Sequence, residues 1–262
     1  MTDNYNIKIP VQARDVAIVA ADLFGERLRG VYLYGSAVLG GLHPDSDVDV
    51  LIIIDGSLDG TQRAELTKRL LKLSVTVEAA RCEQRGLHPL EVTILDSVKL
   101  KPRRFPPQIE YLYGEWLRAE IEAGELPMPH ESTDLVILLR QSERHSLRLY
   151  GCELSALVDP IPDSDIKRAM RGELPNLAGY LHGDERNVLL TYCRMWYTLA
   201  NGDIVSKDTA AEWVLARLEP ELRRPIEVAR LAYLGCADDS GEYEDAIRLA
   251  SYFEEKISEL LE

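Results

Sequence analysis

At 262 residues, 46% of them hydrophobic, the chain carries enough apolar material for one large domain or two ordinary ones, which excludes a disordered reading. Its formal charge of −14 and pI near 4.9 repel a phosphate backbone overall and favour a cationic small molecule, so no nucleic-acid partner is expected. The four cysteines, Cys82, Cys152, Cys193 and Cys236, stand far apart without a CxxC pair, which argues against a zinc site and a disulfide framework.

The N-terminal MTDNYNIKIP is polar and lacks a signal-peptide core, and no apolar run approaches the ~20 residues of a membrane span. A cytoplasmic protein with no membrane partner is expected. Val16, Val19, Ala20 and Leu23 fall at helical spacing, so residues near 11–25 read as an amphipathic helix. Gly30 punctuates, and Val31–Tyr34 reads as a short strand. Val48–Ile54 is rich in β-branched residues and reads as a strand buried on both faces. Leu66, Leu70, Leu71 and Leu73 mark a second helix, followed by a polar stretch around Cys82–His88. Leu90–Leu95 reads as a third strand. Helix, strand, strand, helix, strand makes an α/β core.

After about residue 130 the pattern changes. Val158–Asp163 has the prolines of a linker, which divides the chain into domains 1–158 and 159–262. Val188, Tyr192, Met195 and Leu199 repeat at helical spacing before Gly202, a plausible stop. Ala246, Ala250, Phe253, Ile257 and Leu260 form a last helix, so the second domain reads as a helical bundle. Residues 159–262 hold 21 Asp and Glu against 12 Lys and Arg, net −9, against −5 for residues 1–158. A cationic ligand is drawn to that part, although an acidic surface also serves solubility.

The informative stretch runs from Leu33 to Ile54, LYGSAVLGGLHPDSDVDVLIII. Asp47 and Asp49 project the same way from a strand, and two ionised carboxylates side by side repel unless a cation joins them. Magnesium suits them, because it takes carboxylate oxygens and completes its shell with water and phosphate. Upstream, Gly35 lets backbone N–H groups approach a phosphate and the Ser36 hydroxyl adds a donor. Glu91 is a third acid in a strand-like run. If its strand adjoins the Asp47/Asp49 strand, all three carboxylates converge as metal-binding candidates, and Glu91 is also placed to take the proton from an attacking hydroxyl. Each piece has a plainer use: Asp45 and Ser46 suit a turn, acids before a strand often cap one, and Glu91 suits an edge facing water. The combination of Gly-Ser turn, DxD and later strand acid is the specific signal.

These residues resemble the nucleotidyltransferase superfamily. More narrowly, VYLYGSAVLGGL, SDVDVLIII, PLEVTIL, YGEWLR, GDERNVLLT and SKDTAAEW are similar to the aminoglycoside adenylyltransferases that modify spectinomycin, some of which also modify streptomycin. The resemblance implies an α/β (α+β) nucleotidyltransferase domain with a mixed sheet, an all-α helical-bundle domain, and an active site in the cleft between them. It implies magnesium-dependent transfer of AMP from ATP to the 9-hydroxyl of spectinomycin with release of pyrophosphate, by a monomer whose partners are small molecules. Ser36 and Ser46 would contact ATP phosphates, Asp47 and Asp49 would bind magnesium, and Glu91 would be the base. Arg194, Lys207 and Tyr233 match positions that contact the nucleotide. Trp116 and Asp184 match positions that hold the drug, and Asn187 joins them.

Taken without the resemblance, the same residues also suit a surface lysine, an ion-paired arginine, an interdomain tryptophan and a helix-capping acid. Relatives that act on both drugs carry a tryptophan and a further acid just before GDERN. Here that segment, Glu173–His182, has no tryptophan and only Glu173, which implies action on spectinomycin alone. A transferase with dual or other acceptors, a protein- or RNA-modifying relative and a catalytically silent nucleotide-binding module are the competing readings.

Overall fold

The computed structural model describes residues 7–82, 86–237 and 245–262. Parts of the polar N-terminus and of the Cys82–His88 stretch lie outside the described residues. The chain divides into two compact units, Met1–Ile161 and Pro162–Glu262.

In the first unit, helix α1 (Val11–Phe24) leads through a short turn into strand β1 (Leu28–Tyr34). Strand β2 (Val48–Ile54), helix α2 (Gly60–Leu73), the short helix α3 (Val77–Cys82) and strand β3 (Leu90–Asp96) follow. Next come β4 (Gln108–Ile109), β5 (Tyr111–Tyr113), α4 (Arg118–Glu122), β6 (His130–Glu131), α5 (Leu135–Arg144), β7 (Leu147–Gly151) and α6 (Leu154–Leu157). The main sheet has the order β5-β3-β2-β1-β7. Only β2 and β3 run parallel within it, so the sheet is mixed.

The alternation of side chains explains why β2 is apolar almost throughout. Val48, Val50, Ile52 and Ile54 share one core with Val16 and Ala20 of α1 and Leu66 and Leu70 of α2. Leu51 and Ile53 point the other way and are equally buried. Each such side chain contributes about 1.5–3 kcal/mol on burial. Both faces of the strand are therefore covered, except at its N-terminal end, where Asp49 stands.

Helix α2 begins with a reciprocal cap. The Gln62 N–H donates to Asp59 Oδ1 at 2.8 Å while the Asp59 N–H donates to Gln62 Oε1 at 3.4 Å. Arg27 Nη1 also donates to Gln62 Oε1 at 3.2 Å, tying the helix start to the entry of β1. Asp59→Ala is expected to lower unfolding stability by about 1 kcal/mol. Because Asp59 takes no part in the site described below, turnover should be unchanged; denaturant titration and a turnover assay on the same preparation check both.

Beyond residue 130 the first unit still contributes strands: β6 pairs with β4, and β7 pairs with β1 as an outer strand of the main sheet. Leu147–Gly151 was overlooked because it is a half-exposed edge strand without strict alternation. The units part at Ile161/Pro162, within the Val158–Asp163 stretch. Val158 and Ile161 are buried, and Arg140 Nη2 donates to the Ile161 carbonyl, so this proline-rich segment is packed and not an open linker.

The second unit is helical: α7 (Asp163–Leu177), α8 (Glu185–Asn201), α9 (Lys207–Leu215), α10 (Arg224–Tyr233) and α11 (Ala246–Leu261). Gly202 ends α8 at φ +76°, its N–H donating to the Thr198 carbonyl at 2.8 Å. Tyr192 of α8 stacks on Phe253 of α11 with ring centroids 5.5 Å apart. The buried stripe of α11 ends on Leu261 rather than Leu260.

Candidate active site

The register of three strands assembles the site of the first unit. Tyr34 of β1 lies opposite Asp49 of β2, and Asp49 lies beside Glu91 of β3. Partners across a sheet project from the same face, so a phenol and two carboxylates form one row. Asp47 stands two residues before Asp49, at the mouth of β2. The row is clothed on the Tyr34 side: Tyr34 is 5% exposed and its hydroxyl donates to Glu91 Oε1 at 3.1 Å. Burial, and then the Glu91 and Asp49 carboxylates, hold the Tyr34 hydroxyl well above the usual phenol range. It stays protonated at neutral pH and remains a donor.

Gly35 follows immediately, at φ +70° in the left-handed region. A Cβ on it would lie 1.8 Å from Asp49 Oδ2, so the aspartate carboxylate occupies the space a side chain would fill. The glycine thus has a second role besides the phosphate approach expected from the sequence. It opens a single helical turn, Gly35–Ala37, on which Ser36 is half-buried beside the row.

The loop that carries Asp47 is pinned from both ends. Ser46 is buried in a turn: the His43 N–H donates to its Oγ and the Ser46 N–H donates to the His43 carbonyl, both at 3.0 Å. The His88 ring meets the Ser46 carbonyl at 2.9 Å through Nδ1. Gln12 Nε2 in turn donates to the carbonyls of Leu73 and His88 at 2.8 and 2.6 Å, and the His88 N–H donates to Gln12 Oε1 at 2.8 Å. Asp45 receives both Arg81 Nε and Nη2, at 2.6 and 2.7 Å. Ser46 therefore serves the turn with its hydroxyl, as the sequence allowed.

Trp116 is delivered by β5, the strand beside β3. It sits on the turn Glu115–Leu117 and is exposed. The turn is fixed by Glu115, which accepts from Arg118 at 2.6 and 2.9 Å and from the Tyr113 hydroxyl at 2.8 Å. Its indole covers Gly114, where a Cβ would meet the ring at 2.3 Å. Lys99, on the turn that follows β3, faces Glu110 at 3.4 Å and Asp96 at 3.8 Å.

Within the second unit the remaining candidates form a chain of contacts. Asn187 Nδ2 donates to Asp184 Oδ1 at 2.7 Å, and Lys207 Nζ donates to Asn187 Oδ1 at 3.1 Å. The Lys207 ammonium also lies 5.8 Å from the centre of the Tyr233 ring. Asp184 occupies the capping position of α8 but makes no side-chain cap there, its carboxylate being turned to Asn187. Arg194 is seven residues along α8 from Asn187 and so lies on the same stripe. One amide thus joins an expected drug-binding acid to an expected nucleotide-binding lysine.

Among the described residues no group of three or more His, Cys, Asp or Glu side chains forms a ready-made metal cage. Magnesium takes one or two carboxylates and fills its shell with water and substrate phosphate, and Asp47 and Asp49 are the residues that would offer it hard anionic oxygens. The Asp49 carboxylate lies where a Cβ on Gly35 would be.

Sequence reasoning did not find Tyr34, Gln12 or His88. Tyr34 was within reach: if β1 adjoins β2, strand alternation turns Tyr34 toward the acids. The other two act across 76 residues of chain, and no local pattern marks them.

Among the described residues no helix is long and apolar enough to cross a membrane. Residues 20–100 match the model of the nucleotidyltransferase domain, and residues 156–256 match that of the aminoglycoside adenylyltransferase C-terminal domain. The chain is 44% identical over 256 residues to the spectinomycin 9-adenylyltransferase of Campylobacter jejuni, covering 97% of each chain. It is 41% identical over 259 residues to that of Staphylococcus aureus, covering 98% of each. A crystal structure of the spectinomycin adenyltransferase from Enterococcus faecialis with ATP and spectinomycin matches at a TM-score of 0.87 and 30% identity, over 95% of this chain and 98% of that one. A nucleotidyltransferase domain with an acidic row, a helical second unit, and likeness along nearly the whole length lead to one assignment: the chain belongs to the aminoglycoside adenylyltransferase family.

Proposed function

We propose that this enzyme transfers AMP from ATP to the 9-hydroxyl of spectinomycin, releasing pyrophosphate and so conferring resistance to the drug. The observation that carries the reading is the in-register row of Asp49 and Glu91 on adjacent parallel strands, with the Gly35-Ser36 turn against it. In this reading Glu91 removes the proton from the drug hydroxyl as its oxygen attacks the α-phosphorus in line with the departing pyrophosphate. Asp47 and Asp49 hold magnesium, which when bound neutralises charge on the phosphates. Ser36 donates to a phosphate, with Ser46 shaping the turn beside it. Lys207 and Arg194 supply cations to the triphosphate, and Tyr233 backs the Lys207 ammonium. Trp116, Asp184 and Asn187 hold the drug, the acid matching a cationic amine of spectinomycin. The same reading takes the chain as a cytoplasmic monomer that binds small molecules and not nucleic acid.

Acceptor choice follows from the segment before Asp184. Its residues belong to the end of α7 and a following turn, Ala178–Tyr180, and contain neither a tryptophan nor an acid beyond Glu173. Streptomycin's guanidinium groups therefore meet no tryptophan face and no carboxylate beside Asp184 there, although the Tyr180 ring is exposed. Pyrophosphate release from Mg·ATP is expected with spectinomycin and not with streptomycin. Release with both drugs would retain the chemistry and discard the specificity, whereas silence with both from folded, ATP-binding protein would point to another acceptor.

A further inference from the structure

The row of the first unit contains one polar group that the proposed chemistry does not use, the Tyr34 hydroxyl. We infer that Tyr34 is a positioning residue for Glu91: its hydroxyl, 3.1 Å from Oε1, holds the carboxylate so that it meets the acceptor hydroxyl in one orientation. The inference rests on the reading of Glu91 as the proton acceptor.

A glutamate has three side-chain torsions, and ordering it costs up to about 2 kcal/mol of rotamer freedom. A base that must reach one proton in a near-attack geometry gains from having that ordering done beforehand. Tyr34 is suited to do it. Its ring has two torsions and is 5% exposed, and its backbone is locked opposite Asp49 in the β1–β2 register. With fewer torsions and a buried ring, the phenol is the more fixed of the two partners.

The hydroxyl is an oriented donor to Glu91 Oε1, brought there by the β1–β2–β3 register that sets Tyr34, Asp49 and Glu91 in one row.

The plain alternative is that Glu91 merely satisfies a buried phenol, as any acceptor would. The two readings differ in what happens when the hydroxyl is removed and the ring kept. In Tyr34→Phe, positioning predicts that kcat falls ~10- to 100-fold, the range of a hydrogen bond to a charged group, while KM for Mg·ATP and for spectinomycin stays within ~twofold. Phe fills the same space, and kinetics are read at a temperature where melting curves show both proteins fully folded.

A double-mutant comparison carries the decision. If Tyr34 acts through Glu91, Tyr34→Phe should cost little beyond ~twofold once Glu91→Gln is in place. An unchanged kcat in Tyr34→Phe overturns the inference. So does a loss that persists undiminished in the Glu91→Gln background, or one that appears as a raised KM for Mg·ATP. Wild-type protein that releases no pyrophosphate with spectinomycin overturns the acceptor reading itself, a result distinct from a wild type and a Phe variant of equal activity.

Discussion

Glu91→Gln should lower kcat for pyrophosphate release by about 10³-fold, near the middle of the range for loss of a general base and equivalent to about 4 kcal/mol. The substitution is close to isosteric. A glutamine oxygen can still accept from the Tyr34 hydroxyl, so the side chain keeps its place on β3 while losing basicity and charge. If Glu91 works chiefly as a base, KM for Mg·ATP should move by no more than a few-fold. If it works chiefly as a metal ligand, the magnesium concentration for half-maximal rate should rise as well, so a magnesium titration of the variant separates the two roles. Activity within tenfold of wild type would remove Glu91 from both.

The same variant should leave the metal-free protein no less stable, and by the physics of like charges more so. Asp49 and Glu91 are register neighbours on one face, an arrangement that destabilises a sheet when both are ionised. Neutralising one relieves that repulsion. A melting temperature at or above wild type in a chelating buffer, together with lost turnover, would show an active site maintained at the expense of stability.

The first-unit core and its acids were legible because their signals are local. Val48–Ile54 announced itself by β-branched content, and the acids by being out of place in such runs. Pairing between β2 and β3 was only a condition in the sequence, since 41 residues and two helices separate Asp49 from Glu91 and no periodicity reports which strands meet. The short strand β5 and the edge strand β7 gave no pattern long enough to read. The Gln12 bonds to His88 are side-chain to backbone contacts whose partner is any residue that folding brings there. In the second unit, helical spacing revealed α8 and α11, but the Asp184–Asn187–Lys207 connection depends on the packing of α9 against α8.

Gly35 has a structural reason that the sequence does not reveal. From sequence, the glycine of a Gly-Ser turn lets backbone N–H groups approach a phosphate. The geometry adds a clash: Gly35→Ala would put a Cβ 1.8 Å from Asp49 Oδ2 and 2.6 Å from its Cγ. The carboxylate is the movable partner, so the aspartate should swing from its place and the fold should survive. Displacing a group of the reacting site by about 1 Å is enough for a ~10²-fold loss, and that is the expected fall in kcat/KM for Mg·ATP. The φ of +70° adds a separate backbone penalty of about 1–2 kcal/mol. Gly202→Ala isolates that penalty. Gly202 has φ +76° and ψ +3°, closes α8 in the second unit, and has open space where its Cβ would go. It should lose similar stability with little change in turnover. Equal losses of activity in the two variants would mean that backbone strain, and not the displaced Asp49 carboxylate, accounts for the effect.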